Sequence, residues 1–125
     1  MLIDSDVLVL HTRGNIAAAQ RLNAIGQWQI SIVTYMELAQ GCPDKPNLER
    51  LKKGLAARKV KVLHITPAIS QRAADLVDAL ALSHGMRVAD ALIAATAIEH
   101  SMPLLTGNLK HFLPITDLTV DAFVR

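Results

Sequence analysis

Residues 59–85, KVKVLHITPAISQRAADLVDALALSHG, change from the pattern of a strand to that of a helix. From 59 to 65 polar and apolar side chains alternate, which is typical of a half-buried strand. Thr66 is suited to cap a helix N-terminus, Pro67 to the first helical position, and Gly85 to the end of the helix. The stretch therefore predicts a strand that leads directly into a long helix. The predicted buried face of that helix consists of Ile69, Ala73, Leu76, Val77 and Leu80.

The same succession of short strands and helices continues on both sides of this stretch. Further strands are predicted at 2–3, 29–33, 104–106 and 118–120, and further helices at 15–25, 34–39, 48–55 and 90–100. Thr34 is the predicted N-cap of the second of these helices. No repeat or obvious linker interrupts the pattern, so we expect one domain over residues 1–125. Strands that alternate with helices predict an α/β fold, a parallel β-sheet with helices on both faces.

Composition restricts the kind of core and the compartment. Hydrophobic residues make up 51% of the chain and aromatics 3%, so the core must be built from Leu, Ile, Val and Ala. The mean hydropathy of +0.30 is high for so small a domain, which indicates either apolar surface covered by a partner or an Ala-rich helical core. No apolar run approaches the roughly 18 residues needed to span a membrane. Asp4 and Asp6 argue against a signal peptide, and the single Cys42 excludes an internal disulfide, so we expect a cytoplasmic protein.

The positive charge of the chain is concentrated in one segment. The formal net charge is only +2, but residues 49–61 carry +5 and the remainder carries −3. The basic residues of this segment are Arg50, Lys52, Lys53, Arg58, Lys59 and Lys61, against Glu49 alone. Such a segment suits either contact with phosphates or a solvated helix face.

Four oxygen-bearing side chains lie where strands are expected to end. Asp4 ends the first strand, Glu37 lies in the helix after the second, Asp90 opens a later helix, and Asn108 follows the strand at 104–106. Because the carboxyl ends of parallel strands meet at one edge of an open sheet, all four are candidates for one crevice. The three acids are flanked by apolar residues, which is unusual for solvated surface charges. Each also has a structural interpretation: Asp4 could cap a turn, Asp90 could cap a helix, and Glu37 could pair with an arginine.

These residue types favour phosphodiester hydrolysis with a bound metal. Clustered carboxylates repel one another and are stabilised by a cation. Oxygen ligands without cysteine or clustered histidine favour Mg²⁺ or Mn²⁺ over zinc. Such an ion can orient and deprotonate a water molecule and neutralise the charge of a scissile phosphate.

Four motifs resemble, in order and spacing, those of the PIN domain, and most strongly its VapC toxin branch. The first, LIDSDVL at 2–8, is similar to the strand that ends in the first catalytic aspartate. The second, SIVTYMEL at 31–38, is similar to the motif that carries the catalytic glutamate. The third, VADALIAATA at 88–97, is the most specific, and the fourth is LLTGN at 104–108, followed by Phe112. The resemblance covers essentially the whole chain.

The resemblance implies a divalent-metal endoribonuclease toxin that is neutralised by a VapB antitoxin and forms a homodimer. Asp4, Glu37 and Asp90 would be its catalytic residues and its ligands for Mg²⁺ or Mn²⁺. Many members carry an aspartate at the position of Asn108. Because asparagine offers only a neutral oxygen, the difference disfavours a second tightly held ion. The residues that would support the ligands or their water molecules by hydrogen bonds are Ser5, Asp6 and Thr106.

Other polar residues carry weaker predictions. Arg87, three residues before Asp90, is a candidate contact to an RNA phosphate or to an acidic group of the antitoxin, with a plain surface role as the alternative. The further candidates for such contacts are Arg50, Lys52, Lys53 and Lys59. The five histidines include no pair at metal-ligand spacing, so we expect surface or structural roles for them.

Three other interpretations compete with the toxin. A PIN nuclease in RNA processing, or one acting on single-stranded DNA, would use the same site. A receiver-like phosphoacceptor module would need an aspartate on its third strand, and residues 60–65 contain none. A degenerate PIN domain that only binds a partner is disfavoured by the intact Asp4, Glu37 and Asp90.

Overall fold

The centre of the molecule is a five-stranded sheet in which all paired strands are parallel, as seen in a computed structural model that describes residues 1–124. The strands are β1 (Leu2–Ile3), β2 (Gln29–Ser31), β3 (Lys61–Leu63), β4 (Leu104–Thr106) and β5 (Val120–Ala122). Their order is β3-β2-β1-β4-β5, so the chain builds outward from β1 on one side and then returns to its other side. The boundary between β1 and β4 is therefore the topological switch point, where open parallel sheets form their binding crevices.

Seven helices accompany the sheet within residues 1–124. They are α1 (Ser5–Thr12), α2 (Ile16–Asn23), α3 (Ile32–Gln40), α4 (Lys45–Ala57), α5 (Pro67–His84), α6 (Val88–Glu99) and α7 (Leu109–Phe112). None of them is long and apolar enough to cross a membrane.

Two buried clusters cover the two faces of the sheet. Successive residues of a strand point to opposite faces, and Leu2 and Leu104 pack with α5 and α6, while Ile3 and Leu105 pack with α1 and α2. The α6 contribution is dominated by alanines, which let this helix lie close to the sheet. The predicted parallel sheet with helices on both faces is confirmed.

Helix α5 begins and ends as the sequence predicts. Thr66 caps α5 by accepting a hydrogen bond from the backbone N–H of Ile69, and Pro67 is its first residue. Gly85 ends the helix in the left-handed region at φ 65°, a conformation that glycine adopts without steric cost. The chain then reverses into α6, which packs along α5 as a helical hairpin.

Several predicted boundaries differ from those of the structure. The strand predicted at 29–33 ends at Ser31. The hydroxyl of Ser31 caps α3 by accepting a hydrogen bond from the backbone N–H of Val33. The predicted cap, Thr34, lies fully buried inside that helix. Ile32 and Val33 extend the apolar run of the strand, so the sequence pattern hid the helix start. The last strand lies at 120–122 instead of 118–120, and the short helix α7 was not predicted.

Candidate active site

Asp4 lies at the switch point of the sheet, directly after β1 and before α1. One carboxylate oxygen, Oδ1, accepts a 2.8 Å hydrogen bond from the backbone N–H of Ser5, and Oδ2 accepts one of 2.8 Å from the hydroxyl of Thr106 at the end of β4. Only 3% of the residue is exposed. The two adjacent strand ends therefore fix a buried carboxylate in one orientation.

Burial raises the pKa of Asp4 to about 7, and the negative charge of Asp6 acts in the same direction. The hydrogen bonds from Thr106 and Ser5 oppose this shift, and the charge of Asp90 adds to it. Near neutral pH this carboxyl is balanced between its protonated and ionised forms, so a cation that binds there competes with a proton.

Glu37 reaches the same place from α3, which begins directly after β2. Its Oε1 accepts a hydrogen bond of 3.2 Å from the hydroxyl of Ser5, which also lies 3.5 Å from Oδ1 of Asp4. Although Glu37 is an exposed residue, the pKa of its carboxyl is raised, chiefly because the carboxyl is partly buried. The hydrogen bond from Ser5 opposes this rise in pKa, and the negative charge of Asp90 adds to it. Ser5 therefore joins two of the predicted acids.

Asp90 is the third residue of α6, and 17% of its side chain is exposed. Its Oδ2 lies 3.2 Å from Nδ1 of His111 on α7. The pKa of Asp90 is raised, chiefly by burial. The positive charges of His111 and Arg87 oppose this rise in pKa, and the negative charge of Asp6 adds to it. The prediction that Asp90 opens the helix was wrong: the N-cap is Arg87, and no side chain caps α6. Asp90 is thus no helix cap.

The loop after β4 is fixed by two of the predicted supporting residues. Asp6 accepts hydrogen bonds from the backbone N–H of Val7 at Oδ1 and from that of Gly107 at Oδ2, at 2.8 and 2.9 Å. The backbone N–H of Asn108 donates to the Thr106 hydroxyl at 3.0 Å. Asn108 itself is exposed at the start of α7, and its side chain does not cap that helix.

The acids of this region lie near enough to influence one another electrostatically. The charge of Asp90 raises the pKa values of both Asp4 and Glu37, and the charge of Asp6 raises those of Asp4 and Asp90. These acids do not converge on one point: within residues 1–124, no three acidic, histidine or cysteine side chains lie close enough to enclose an ion. The donor set nevertheless consists of hard oxygens under mutual repulsion, which fits Mg²⁺ or Mn²⁺.

His111 is the residue of this region that the sequence interpretation missed. The five histidines include no pair at metal-ligand spacing, so surface or structural roles were expected for all of them. A usable signal was its position three residues after Asn108, because residues three apart on a helix lie on the same side. A histidine on the same side of a helix as a candidate site residue is therefore itself a candidate for the site.

The basic residues divide between two surfaces. A groove of about 670 Å³ lies between α1 and α4 and includes Glu37 in its wall. Its cations are Arg13, Arg50 and Arg58, and its apolar residues include Leu8, Trp28, Leu51 and Leu55. The guanidinium of Arg58 lies 4.1 Å from the centre of a Trp28 ring. Of the predicted contacts to RNA or antitoxin, Arg50 lines this groove. Three others are exposed and lie outside the groove wall: Lys52, Lys53 and Lys59. Arg87 lies elsewhere and acts on Asp90 through its charge.

Comparison with known proteins gives one consistent result. A family model described as PIN domain matches residues 1–113. Ribonuclease VapC10 of Mycobacterium tuberculosis is 35% identical over 116 residues, which cover 90% of this chain and 85% of the relative. Among solved structures, a toxin–antitoxin complex from Klebsiella pneumoniae matches at 28% identity over 95% of both chains, with a TM-score of 0.80. VapBC2 from Rickettsia felis bound to a promoter DNA fragment matches at 20% identity over 98% of both chains, with a TM-score of 0.83.

Proposed function

This chain belongs to the PIN-domain family and is a relative of the VapC ribonucleases, and from its site we propose a divalent-metal endoribonuclease that acts as the toxin of a VapBC pair. The observation that carries the proposal is the proximity of Asp4, Glu37 and Asp90: burial raises all three pKa values, and the charge of Asp90 raises those of Asp4 and Glu37 further. Such a site favours a cation, and hydrolysis of an RNA phosphodiester is the chemistry that follows.

The three carboxylates would hold the ion, with Asn108 able to offer a neutral oxygen at the edge. When bound, Mg²⁺ or Mn²⁺ would neutralise phosphate charge and favour ionisation of a water molecule. Asp4 contributes a buried carboxylate that two hydrogen bonds hold in place. Glu37 carries the most exposed of the three carboxyls, so it is the group that meets RNA and water most directly.

The direct test is cleavage of RNA by the purified protein with Mg²⁺ or Mn²⁺ and with EDTA. Asp4→Asn removes the buried charge, and Asp78→Asn changes an exposed aspartate on α5 as the matched control. We expect cleavage by wild type and the control only with the ion, and none by Asp4→Asn. Cleavage in EDTA, or normal cleavage by Asp4→Asn, would contradict the proposal. A single-stranded DNA substrate cleaved as fast as RNA would favour the alternative nuclease.

The basic groove supports an RNA path beside the site. RNA whose scissile phosphate lies at Glu37 must continue past it, and Arg50 lies in the same wall. Arg50→Gln should therefore reduce the slope of log K against log salt for RNA binding by about one, the value for one lost phosphate contact. The pair Lys52→Gln and Lys53→Gln lies outside the groove and should leave the slope unchanged. The reverse result would assign RNA contact to the opposite face of α4.

A VapB-type antitoxin is the proposed protein partner. The solved neighbours from Rickettsia felis and Klebsiella pneumoniae are toxin–antitoxin assemblies. In this chain the groove that includes Glu37 in its wall combines apolar residues with three arginines, so an acidic and apolar segment that covered it would also block RNA. A small DNA-binding protein encoded beside this chain should inhibit cleavage, and Arg58→Gln should weaken that inhibition.

A homodimer is proposed as the assembly. Large apolar side chains are exposed close in sequence to two site residues: Met36 precedes Glu37 and is 51% exposed, and Val88 begins the helix of Asp90 and is 65% exposed. Apolar surface of this kind favours burial against another molecule. Light scattering at micromolar concentration should give the mass of a dimer, and a monomer would contradict this part of the proposal.

A further inference from the structure

Helix α7 holds His111 against Asp90 through contacts on both sides of the histidine. Phe112, the next residue, is fully buried and belongs to the same core cluster as Ala91 and Ala94 of α6. At the other end of the helix, the N–H of Asn108 is bonded to the hydroxyl of Thr106. The position of the His111 backbone is thus set by the core and by the end of β4.

The contact itself joins an imidazole to a carboxylate. Nδ1 of His111 lies 3.2 Å from Oδ2 of Asp90. The imidazole side chain is 49% exposed, whereas that of Asp90 is 17% exposed. A neutral imidazole carries its proton on either nitrogen, and a carboxylate beside Nδ1 favours the form with the proton there.

We propose that His111 is a positioning residue of the site, whose Nδ1–H donates to Oδ2 of Asp90 and orients that carboxylate, which would be a ligand of the metal ion. This inference rests on the proposed function. A hydrogen bond to one oxygen fixes the plane of the carboxylate, and partners that orient metal ligands in this way contribute about 10- to 100-fold to metal affinity or activity. His111 acts through Asp90 and does not itself touch the reacting atoms.

The test compares His111→Ala, which removes the donor, with His111→Asn, whose side-chain amide places a donor near the position of Nδ1. His100→Ala changes an exposed histidine beyond the opposite end of α6 and serves as the control. Three quantities are measured for each protein: Mn²⁺ affinity by calorimetry, kcat and KM for RNA cleavage, and the unfolding free energy in EDTA.

We expect His111→Ala to bind Mn²⁺ about 10- to 100-fold more weakly and to lose kcat by a similar factor, with KM and stability in EDTA nearly unchanged. His111→Asn should recover most of both losses, and His100→Ala should match wild type. Mn²⁺ affinity equal to that of wild type in His111→Ala would overturn the inference. So would a loss of Mn²⁺ affinity and kcat that accompanies a loss of stability in EDTA and is not recovered by His111→Asn.

Failure of the proposed function would look different from failure of this inference. If wild type binds no Mn²⁺ and cleaves RNA in EDTA, the metal site is wrong and the role of His111 is wrong with it. If wild type binds Mn²⁺ and requires it, while His111→Ala behaves like wild type, only the positioning role is wrong.

Discussion

The hydroxyl of Thr106 donates a 2.8 Å hydrogen bond to Oδ2 of Asp4, across 102 residues of sequence. The hydroxyl oxygen of Thr106 also accepts a hydrogen bond from the backbone N–H of Asn108 at 3.0 Å. One buried hydroxyl thus joins the ends of two neighbouring strands to the loop that begins α7, so it fixes both the most buried acid of the site and the segment that carries His111.

Thr106→Val should damage both stability and activity, because it removes the donor to a buried carboxylate and the acceptor for Asn108. Leaving buried polar groups without partners costs about 1–3 kcal/mol. Since the bond from Thr106 lowers the pKa of Asp4, its loss should raise that pKa further and weaken metal binding at neutral pH. We expect cleavage to fall about 10- to 100-fold.

Thr106→Ser keeps the hydroxyl and is the matched control for this change. Urea unfolding and RNA cleavage at pH 7 would be measured for both variants. Should Thr106→Val and Thr106→Ser behave alike, the hydroxyl would have no role in holding Asp4.

Gly107→Ala should disturb the site through Asp6. A β-carbon at this position would lie 2.9 Å from Oδ2 of Asp6, the atom that accepts from the Gly107 N–H. Asp6 or the loop must therefore move, and a shift of about 1 Å in a site can cost as much as 100-fold in rate. Gly26→Ala, where a β-carbon meets nothing within 4 Å, should leave cleavage unchanged; equal effects at both glycines would contradict the steric explanation.

The metal-free protein should lose stability as the pH rises from about 4 to 7. The pKa of Asp4 is raised from its ordinary 3.8 to about 7, so the folded state binds the proton more tightly than the unfolded chain. The resulting stabilisation is fully present below the ordinary pKa and is lost as the pH passes the folded value. Each pKa unit corresponds to ~1.4 kcal/mol, so the loss amounts to a few kcal/mol.

Urea unfolding in EDTA at pH 4, 5.5, 7 and 8 measures this loss. Asp4→Asn lacks the titrating group, so its stability should fall less over the same interval, although Glu37 and Asp90, which are raised as well, still contribute. Added Mg²⁺ should stabilise wild type more at pH 8 than at pH 5, because protons compete with the ion. Stability that rises equally with pH in both proteins would show that Asp4 is not perturbed.

The sequence was sufficient to predict the parallel sheet, whose topology carries the ends of its strands to one edge. It was insufficient where tertiary packing decides the outcome. Ile32 and Val33 continue an apolar run, yet the Ser31 cap turns the chain into a helix there. His111 joins the site only because Phe112 anchors α7 in the core. The basic segment appeared uniform in sequence, but the winding of α4 sends Arg50 into the groove and leaves Lys52 and Lys53 outside.

The measurement that tests the central claim most directly is thermal melting of wild type and Asp90→Asn with and without Mg²⁺, beside RNA cleavage by the same preparations. Asp90 raises the pKa values of Asp4 and Glu37 by repulsion, so the metal-free variant should melt no lower than wild type. It should gain less from Mg²⁺, because a ligand stabilises only the folded state that it occupies. Its cleavage should fall by orders of magnitude, since the ion that stabilises phosphate charge is weakened or displaced. A variant that cleaves at the wild-type rate with the same Mg²⁺-induced stabilisation would contradict the account and remove Asp90 from the site.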